Sequence, residues 1–319
     1  MTALSQEAFI AFKITFTVMV IVNIAGNSLV CLSVRRFPWM QTPMNYLLVH
    51  LAVCDILGGL FTLPRVILQG LYDHPDGLTG DVLCIFLTHG NLGWLCCCVS
   101  VYTLLAIAFE RYTAIVKPHA PRFTRKKIQI VIVASWLIGG VVCLPETTAT
   151  AYNSKTKWCG YVWMWNWLPV FDSMLWLMVA CIIPVSTLIV LYGRIIQMLW
   201  FSNDQVENIS QRSLMKSRKR ITRVVLTVTV ILFVCWIPNL LYYAISVFLS
   251  RQSIFIAEDR KIIAPVWFQV SLVLLLLNSS INPFIYALQD IRFRRCMRRL
   301  LCGTGSNHQG GNIPDENAQ

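Results

Sequence analysis

The apolar positions of this chain fall in long blocks. Seven stretches stand out, at roughly 9–34, 43–69, 82–116, 127–146, 169–200, 220–249 and 262–288. Each is long enough to cross a bilayer as a helix, and none carries more than two charges. No early basic region followed by a small-residue cleavage site precedes the first stretch, so it is expected to span rather than be removed. The pattern predicts an all-α membrane protein, a seven-helix transmembrane bundle over residues 1–302. Low-complexity sequence is confined to a Gly- and Asn-bearing tail, 303–319, expected to be short, cytoplasmic and disordered.

Composition agrees and narrows the class. The 319 residues are 56% hydrophobic and only 13% charged, whereas soluble domains carry about 25% charged residues. A soluble enzyme, a disordered regulator and a disulfide-stapled secreted scaffold are excluded. The net charge of +12 is explained by position. With the N-terminus outside, 20 of the 27 Lys and Arg fall on the inner side and seven outside, the bias that sets topology. The basic excess then faces anionic membrane lipid and cytosolic partners, and nucleic acid is not needed to account for it. Of the twelve cysteines, only Cys84 and Cys159 lie on the outer, oxidising side, so one disulfide between them is expected. Cys296 and Cys302 lie inside, beside a basic amphipathic run, a setting for palmitoylation or for plain thiols.

Polar groups inside the apolar blocks are costly and point to function. Asp55 lies mid-helix, and Asn27, Ser100, Asn278, Ser279 and Asn282 could face it. A carboxylate with hydroxyl and amide oxygens suits a hard cation; a structural hydrogen-bond network is the alternative. Glu110-Arg111-Tyr112 closes the third stretch, as a switch or as an interfacial anchor. Pro64, Pro145, Pro184, Pro238 and Pro283 each remove a backbone hydrogen bond and favour a kink.

Taken in order, these residues resemble the rhodopsin-like (class A) G-protein-coupled receptors. The likeness rests on Gly26-Asn27-Ser28-Leu29-Val30 (GNxxV), Leu51-Ala52-Val53-Cys54-Asp55 (LAxxD), Glu110-Arg111-Tyr112 (E/DRY), Trp136, and Pro184 with Tyr192. It continues with Phe233-Val234-Cys235-Trp236-Ile237-Pro238 (FxxCWxP), Asn282-Pro283-Phe284-Ile285-Tyr286 (NPxxY) and a basic amphipathic Ile291–Cys302 like the family's eighth helix. The resemblance implies a plasma-membrane, multi-pass receptor that is not an enzyme. It further implies an allosteric Na⁺ held by Asp55, Ser100, Asn278, Ser279 and Asn282, and no other metal or cofactor. Tyr192, Phe233, Trp236, Pro238, Pro283 and Tyr286 join Glu110, Arg111 and Tyr112 as the implied activation switch. Outward movement of helix six would open a cavity for a heterotrimeric G protein and for arrestin, its rim carrying Lys126, Lys127, Lys216, Arg218, Lys219 and Arg220.

Three departures follow. The inner end of helix six reads Lys216-Ser217-Arg218-Lys219-Arg220, with no acid to hold Arg111, leaving Glu110 and Thr222 as candidate restraints. Cys84 precedes Arg111 by 27 residues, two more than the family usual, so helix three must begin differently or bulge. The two N-x-[S/T] matches, Asn208 and Asn278, lie inside and in the membrane, where glycosylation is not expected.

For the ligand, Leu276 stands where opsins carry the retinal lysine, and Gly93 where amine receptors carry an aspartate, so neither retinal nor an amine is implied. The expected pocket is Arg65, His89, Gly93, Trp94, Trp176, Trp236, Asn239, Tyr243, Phe268, Gln269 and Leu272. Arg65 is either a counter-charge for a ligand carboxylate, or the partner of Asp73, Asp76, Asp81 or Glu146, or a side chain snorkelling to the interface. The outer loop 147–168, with Tyr152, Trp158, Tyr161, Trp163, Trp165 and Trp167, either covers a peptide or forms an interfacial belt. A neuropeptide is the preferred ligand class, with a lipid or other small non-amine molecule as the alternative. A secondary transporter is a more distant competitor, lacking an internal repeat here. No catalytic or metal-spaced cluster is expected from the five scattered histidines, His50, His74, His89, His119 and His308.

Overall fold

The computed structural model describes residues 6–68, 72, 74–121, 123–155, 158–201, 209–251 and 257–302. Side chains are described for all of these except 6, 158, 209–214, 243, 246–251 and 257–265. The expected tail 303–319, Asp73 and Asn208 lie outside the described residues, as does the side chain of Tyr243.

The apolar blocks become helices α1 (Gln6–Arg36), α2 (Pro43–Leu68), α3 (Leu78–Val116), α4 (Arg125–Ala149), α5 (Leu168–Phe201), α6 (Ile209–Arg251) and α7 (Ala257–Gln289). Among the described residues these seven contain the stretches long and apolar enough to cross a membrane. The short α8 (Ile291–Cys302) follows, and an antiparallel hairpin of β1 (Thr150–Asn153) and β2 (Trp158–Tyr161) caps the outer side between α4 and α5. Successive helices pack as neighbours, α7 closes back on α1, and α3 runs through the middle against α2, α4, α5 and α6.

The packing is inverted relative to a protein in water. Ile14, Ile21, Leu137, Val141, Ile189 and Val234 face outward, whereas Asn23, Asn27, Asp55, Asn278 and Asn282 are buried. Hydrocarbon solvates apolar side chains, so polar ones gather where they satisfy one another. Small residues permit the closest approaches. A Cβ on Gly26 would lie 2.9 Å from Cγ of Pro283, which draws α1 onto α7 beside the polar core.

Two helices depart from regularity where the sequence said they should. α3 is a short helix Leu78–Leu83, a π-turn Cys84–Thr88 and a long helix Asn91–Val116, interrupted at Gly90 with φ +89°. The π-turn and the break absorb the two extra residues between Cys84 and Arg111, so both a bulge and a different start occur. In α5 a second π-turn, Leu177–Ile182, immediately precedes Pro184. Such a turn re-routes the carbonyls that a proline leaves without donors.

α8 lies along the inner surface with Phe293, Cys296 and Met297 buried against α1 and α7, and Arg294, Arg295, Arg298 and Arg299 exposed. Asp290 caps it, its Oδ1 accepting from the Arg292 backbone N–H at 2.8 Å.

Candidate functional site

The polar residues of α1, α2 and α7 meet at one carboxylate. Asp55 is 3% exposed; its two oxygens accept from Ser279 Oγ at 2.9 Å and Asn282 Nδ2 at 2.9 Å. Asn23, absent from the expected set, donates to the Asp55 backbone carbonyl at 2.7 Å and accepts from Asn27 at 2.6 Å. Three buried amide oxygens, of Asn27, Asn278 and Asn282, have no hydrogen-bond partner. Buried acceptors are rarely left so, and here those of Asn278 and Asn282 belong to residues beside a carboxylate. Ser100, on α3, lies on the wall of the same space.

That space is a narrow cavity running outward from Asp55, Ser100, Asn278 and Ser279 to Arg65 and Gly90 at its outer end. Of the expected pocket, Arg65, Gly93, Trp94, Trp236 and Leu272 line it. His89, Trp176, Asn239, Phe268 and Gln269 do not, and each but the last has another engagement. Trp176 is buried with its ring 6.3 Å from both Trp94 and Trp236, closing the α5 side. Asn239 donates to Ser271 Oγ at 2.9 Å and ties α6 to α7. Phe268 lies under the Arg65 guanidinium, 4.9 Å from its ring centre, and Gln269 is half-buried on α7. The cavity therefore opens along α2, α3 and α7 rather than toward α5. Gly93 has a steric reason to lack a side chain, because a Cβ there would collide with Thr62 Oγ1 of α2.

At the outer end the Cys84–Cys159 disulfide fastens the hairpin to α3, with Cα atoms 5.7 Å apart. His74 converges on it, Nε2 lying 2.7 Å from Thr88 Oγ1 and 3.8 Å from Cys159 Sγ. His74 is thus not scattered as the sequence suggested but converges with Cys84 and Cys159, although the sulfurs are bonded to each other and offer no thiolate to a metal. The outer-loop aromatics divide. Tyr161 stacks edge-on to His89 at 4.7 Å, and burial pushes its phenol well above the ordinary range. Trp165 and Trp167 stack on each other at 5.9 Å and are more than half exposed.

At the inner end Arg111 is held by its neighbour, Nε to Glu110 Oε2 at 2.5 Å and Nη2 to Oε1 at 2.6 Å. Thr222 adds no restraint, because its hydroxyl is buried without a hydrogen-bond partner. The Tyr192 hydroxyl lies 3.2 Å from Thr229 Oγ1, whose own proton goes to the Val225 carbonyl, so Tyr192 donates and links α5 to α6. Tyr286 is buried against Phe293 at 5.5 Å with its hydroxyl unpaired. Tyr112 is half-buried under Lys117, Phe233 is half-buried in the core, and Pro238 and Pro283 sit inside α6 and α7. Trp267 Nε1 donates to the Pro238 carbonyl at 2.9 Å, across the α6 hinge.

One hub escaped the sequence. His50 accepts from Trp136 Nε1 at 3.0 Å through Nε2, which leaves the proton on Nδ1 for Thr103 Oγ1 at 3.0 Å. It joins α2, α3 and α4. A histidine facing lipid and one facing two helices read alike in a single apolar block.

Comparison with known proteins accords with this geometry. The family described as 7 transmembrane receptor (rhodopsin family) matches residues 26–286. The chain is 28% identical over 305 residues to the tachykinin-like peptides receptor 86C of Drosophila melanogaster, covering 91% of this chain and 58% of that one. It is 27% identical over 311 residues to the neuromedin-U receptor 2 of Mus musculus, covering 91% and 74%. With the allatostatin-A receptor of Bombyx mori it shares 27% over 291 residues, covering 88% and 76%.

Proposed function

Because this chain belongs to the rhodopsin family of seven-transmembrane receptors, we propose that it is a multi-pass plasma-membrane receptor for an extracellular peptide, acting through heterotrimeric G proteins. The relatives named above carry peptides in their names, which favours a peptide over a lipid or another small molecule. The observation that carries the reading is the continuous cavity joining Arg65 and Gly90 outside to Asp55 inside, with Trp236 on its wall. A ligand entering from outside shares space with the groups that set the packing of α6 and α7, so its binding energy can bias that packing. Outward movement of α6 would then part Tyr192 from Thr229 and expose Arg111, giving a G-protein helix a groove. Catalysis is no part of this reading.

The donors around Asp55 fit a sodium ion: a carboxylate, the Ser100 hydroxyl and the unpartnered oxygens of Asn278 and Asn282. Held there, a monovalent cation supplies the positive charge that this buried carboxylate lacks. Replacing sodium by N-methylglucamine should raise agonist affinity in the native receptor and leave Asp55→Ala unchanged, as read by radioligand competition. Arrestin and anionic lipid are further partners in the proposal, met by the exposed arginines of α8.

The test is a peptide-library screen in cells expressing the chain with a promiscuous G-protein reporter, followed by nucleotide exchange in membranes. Hits that stimulate exchange support the receptor. Uptake of labelled peptide into vesicles without nucleotide exchange would favour a transporter instead.

A further inference from the structure

We propose that Arg65 is the recognition site for a carboxylate on the ligand, held ready by the interruption of α3. This rests on the receptor reading above and adds the chemistry that the cavity selects. Arg65 lies on the cavity wall at its outer end. Among the described residues no carboxylate lies within ion-pair distance of it. Asp81, one alternative partner, accepts from the Tyr152 backbone at 2.8 Å. Glu146 acts on Arg65 only through space, and Asp73 lies outside the described residues. A guanidinium on an apolar wall without a direct ion-pair partner is an uncommon arrangement, and an incoming anion completes it.

The break in α3 is what holds Arg65. In an unbroken helix the His89 carbonyl would accept from the Gly93 N–H. Here the Gly93 N–H turns to the Gly90 carbonyl at 2.9 Å, because Gly90 adopts φ +89°. The freed His89 carbonyl accepts from Arg65 Nη1. A Cβ on Gly90 would meet Arg65 Cδ at 3.4 Å, an ordinary contact, so it is the left-handed turn that calls for glycine here. His89 is itself fixed: its Nδ1 pairs with Asn91 Oδ1 at 2.7 Å, and Asn91 Nδ2 donates to Thr150 Oγ1 at 3.1 Å. Phe268 supports the guanidinium plane from α7 at 4.9 Å. Five N–H groups in a rigid fork, one spent on His89, leave a pair for the two oxygens of a carboxylate. The carboxylate is a free C-terminus or an Asp or Glu side chain of the peptide.

The probe is three hexapeptide pools applied to cells carrying the promiscuous reporter: free C-terminal acids, amides containing Asp and Glu, and amides without either. At least one carboxylate-bearing pool should be about ten- to a hundredfold more potent than the carboxylate-free pool, the worth of a charge-assisted pair. Arg65→Gln, with surface level checked by an outer epitope tag, should abolish that difference. Equal potency of all pools on the native receptor overturns the inference and leaves the receptor reading standing. A preference that survives in Arg65→Gln overturns the assignment to Arg65. Silence of every pool on the native receptor removes the peptide reading, and the inference with it. Should the Gln variant not reach the surface, Arg65→Lys decides. Loss confined to the carboxylate-bearing pools supports the site, and equal loss across all pools overturns it.

Discussion

At the scale of single residues, two cysteines that read alike separate on burial. Cys296 is fully buried against the bundle, where burial raises its thiol above the ordinary range, while Cys302 is exposed at the end of α8. Acylation needs a reachable thiolate. Metabolic labelling with a palmitate analogue should therefore be lost in Cys302→Ser and kept in Cys296→Ser; the reverse pattern would refute the placement of α8. His50 offers a second test. His50→Ala leaves the Trp136 N–H without its acceptor and removes a donor from Thr103, at a cost of about 1–3 kcal/mol. The thermal midpoint of the detergent-purified receptor should fall, with agonist potency unchanged among molecules that remain folded. His50 shows what sequence could not disclose. Its type was visible, but which of its neighbours would face it depends on helix rotation.

At the scale of elements, the π-turns Cys84–Thr88 of α3 and Leu177–Ile182 of α5 do the same work in different settings. Each places one extra residue in a helix that must still bring its inner end to the right depth. In α3 the addition is joined by the Gly90 break, and that break has an energetic signature. Gly90→Ala forces a β-carbon into a left-handed backbone, costing about 1–2 kcal/mol, and so disfavours the turn that frees the His89 carbonyl for Arg65. Surface expression should drop modestly, and the potency of carboxylate-bearing peptides should drop further than that of uncharged ones, measured in the same reporter cells. The irregularity itself was legible as two residues too many between Cys84 and Arg111. Its form was not, because a bulge, a longer loop and a shifted start all satisfy the same count.

At the scale of the whole molecule, the inner end is restrained lightly. Arg111 is paired with Glu110 on its own helix, and the facing end of α6 is basic. Among the described residues no ion pair ties α6 to α3 there, so the compact state depends on packing and on the polar core around Asp55. Basal nucleotide exchange above that of untransfected membranes should be measurable, and Glu110→Gln should raise it several-fold by freeing Arg111. An unchanged basal rate in that variant would mean that the pair does not restrain the switch.

The sequence alone determined the solvent, the number of crossings and their orientation, because those follow from block length and from the side on which Lys and Arg fall. It also placed the residues of the proposed switch on their helices, since each occupies its own motif. Tertiary structure decided what depends on rotation and depth. It made Asp55 the acceptor of α7 rather than of α3, drew Asn23 into the core, turned Trp176 inward to close the α5 side, and handed the His89 carbonyl to Arg65. These contacts join residues far apart in the chain, and an apolar block leaves the rotation of its helix unspecified until its neighbours are in place.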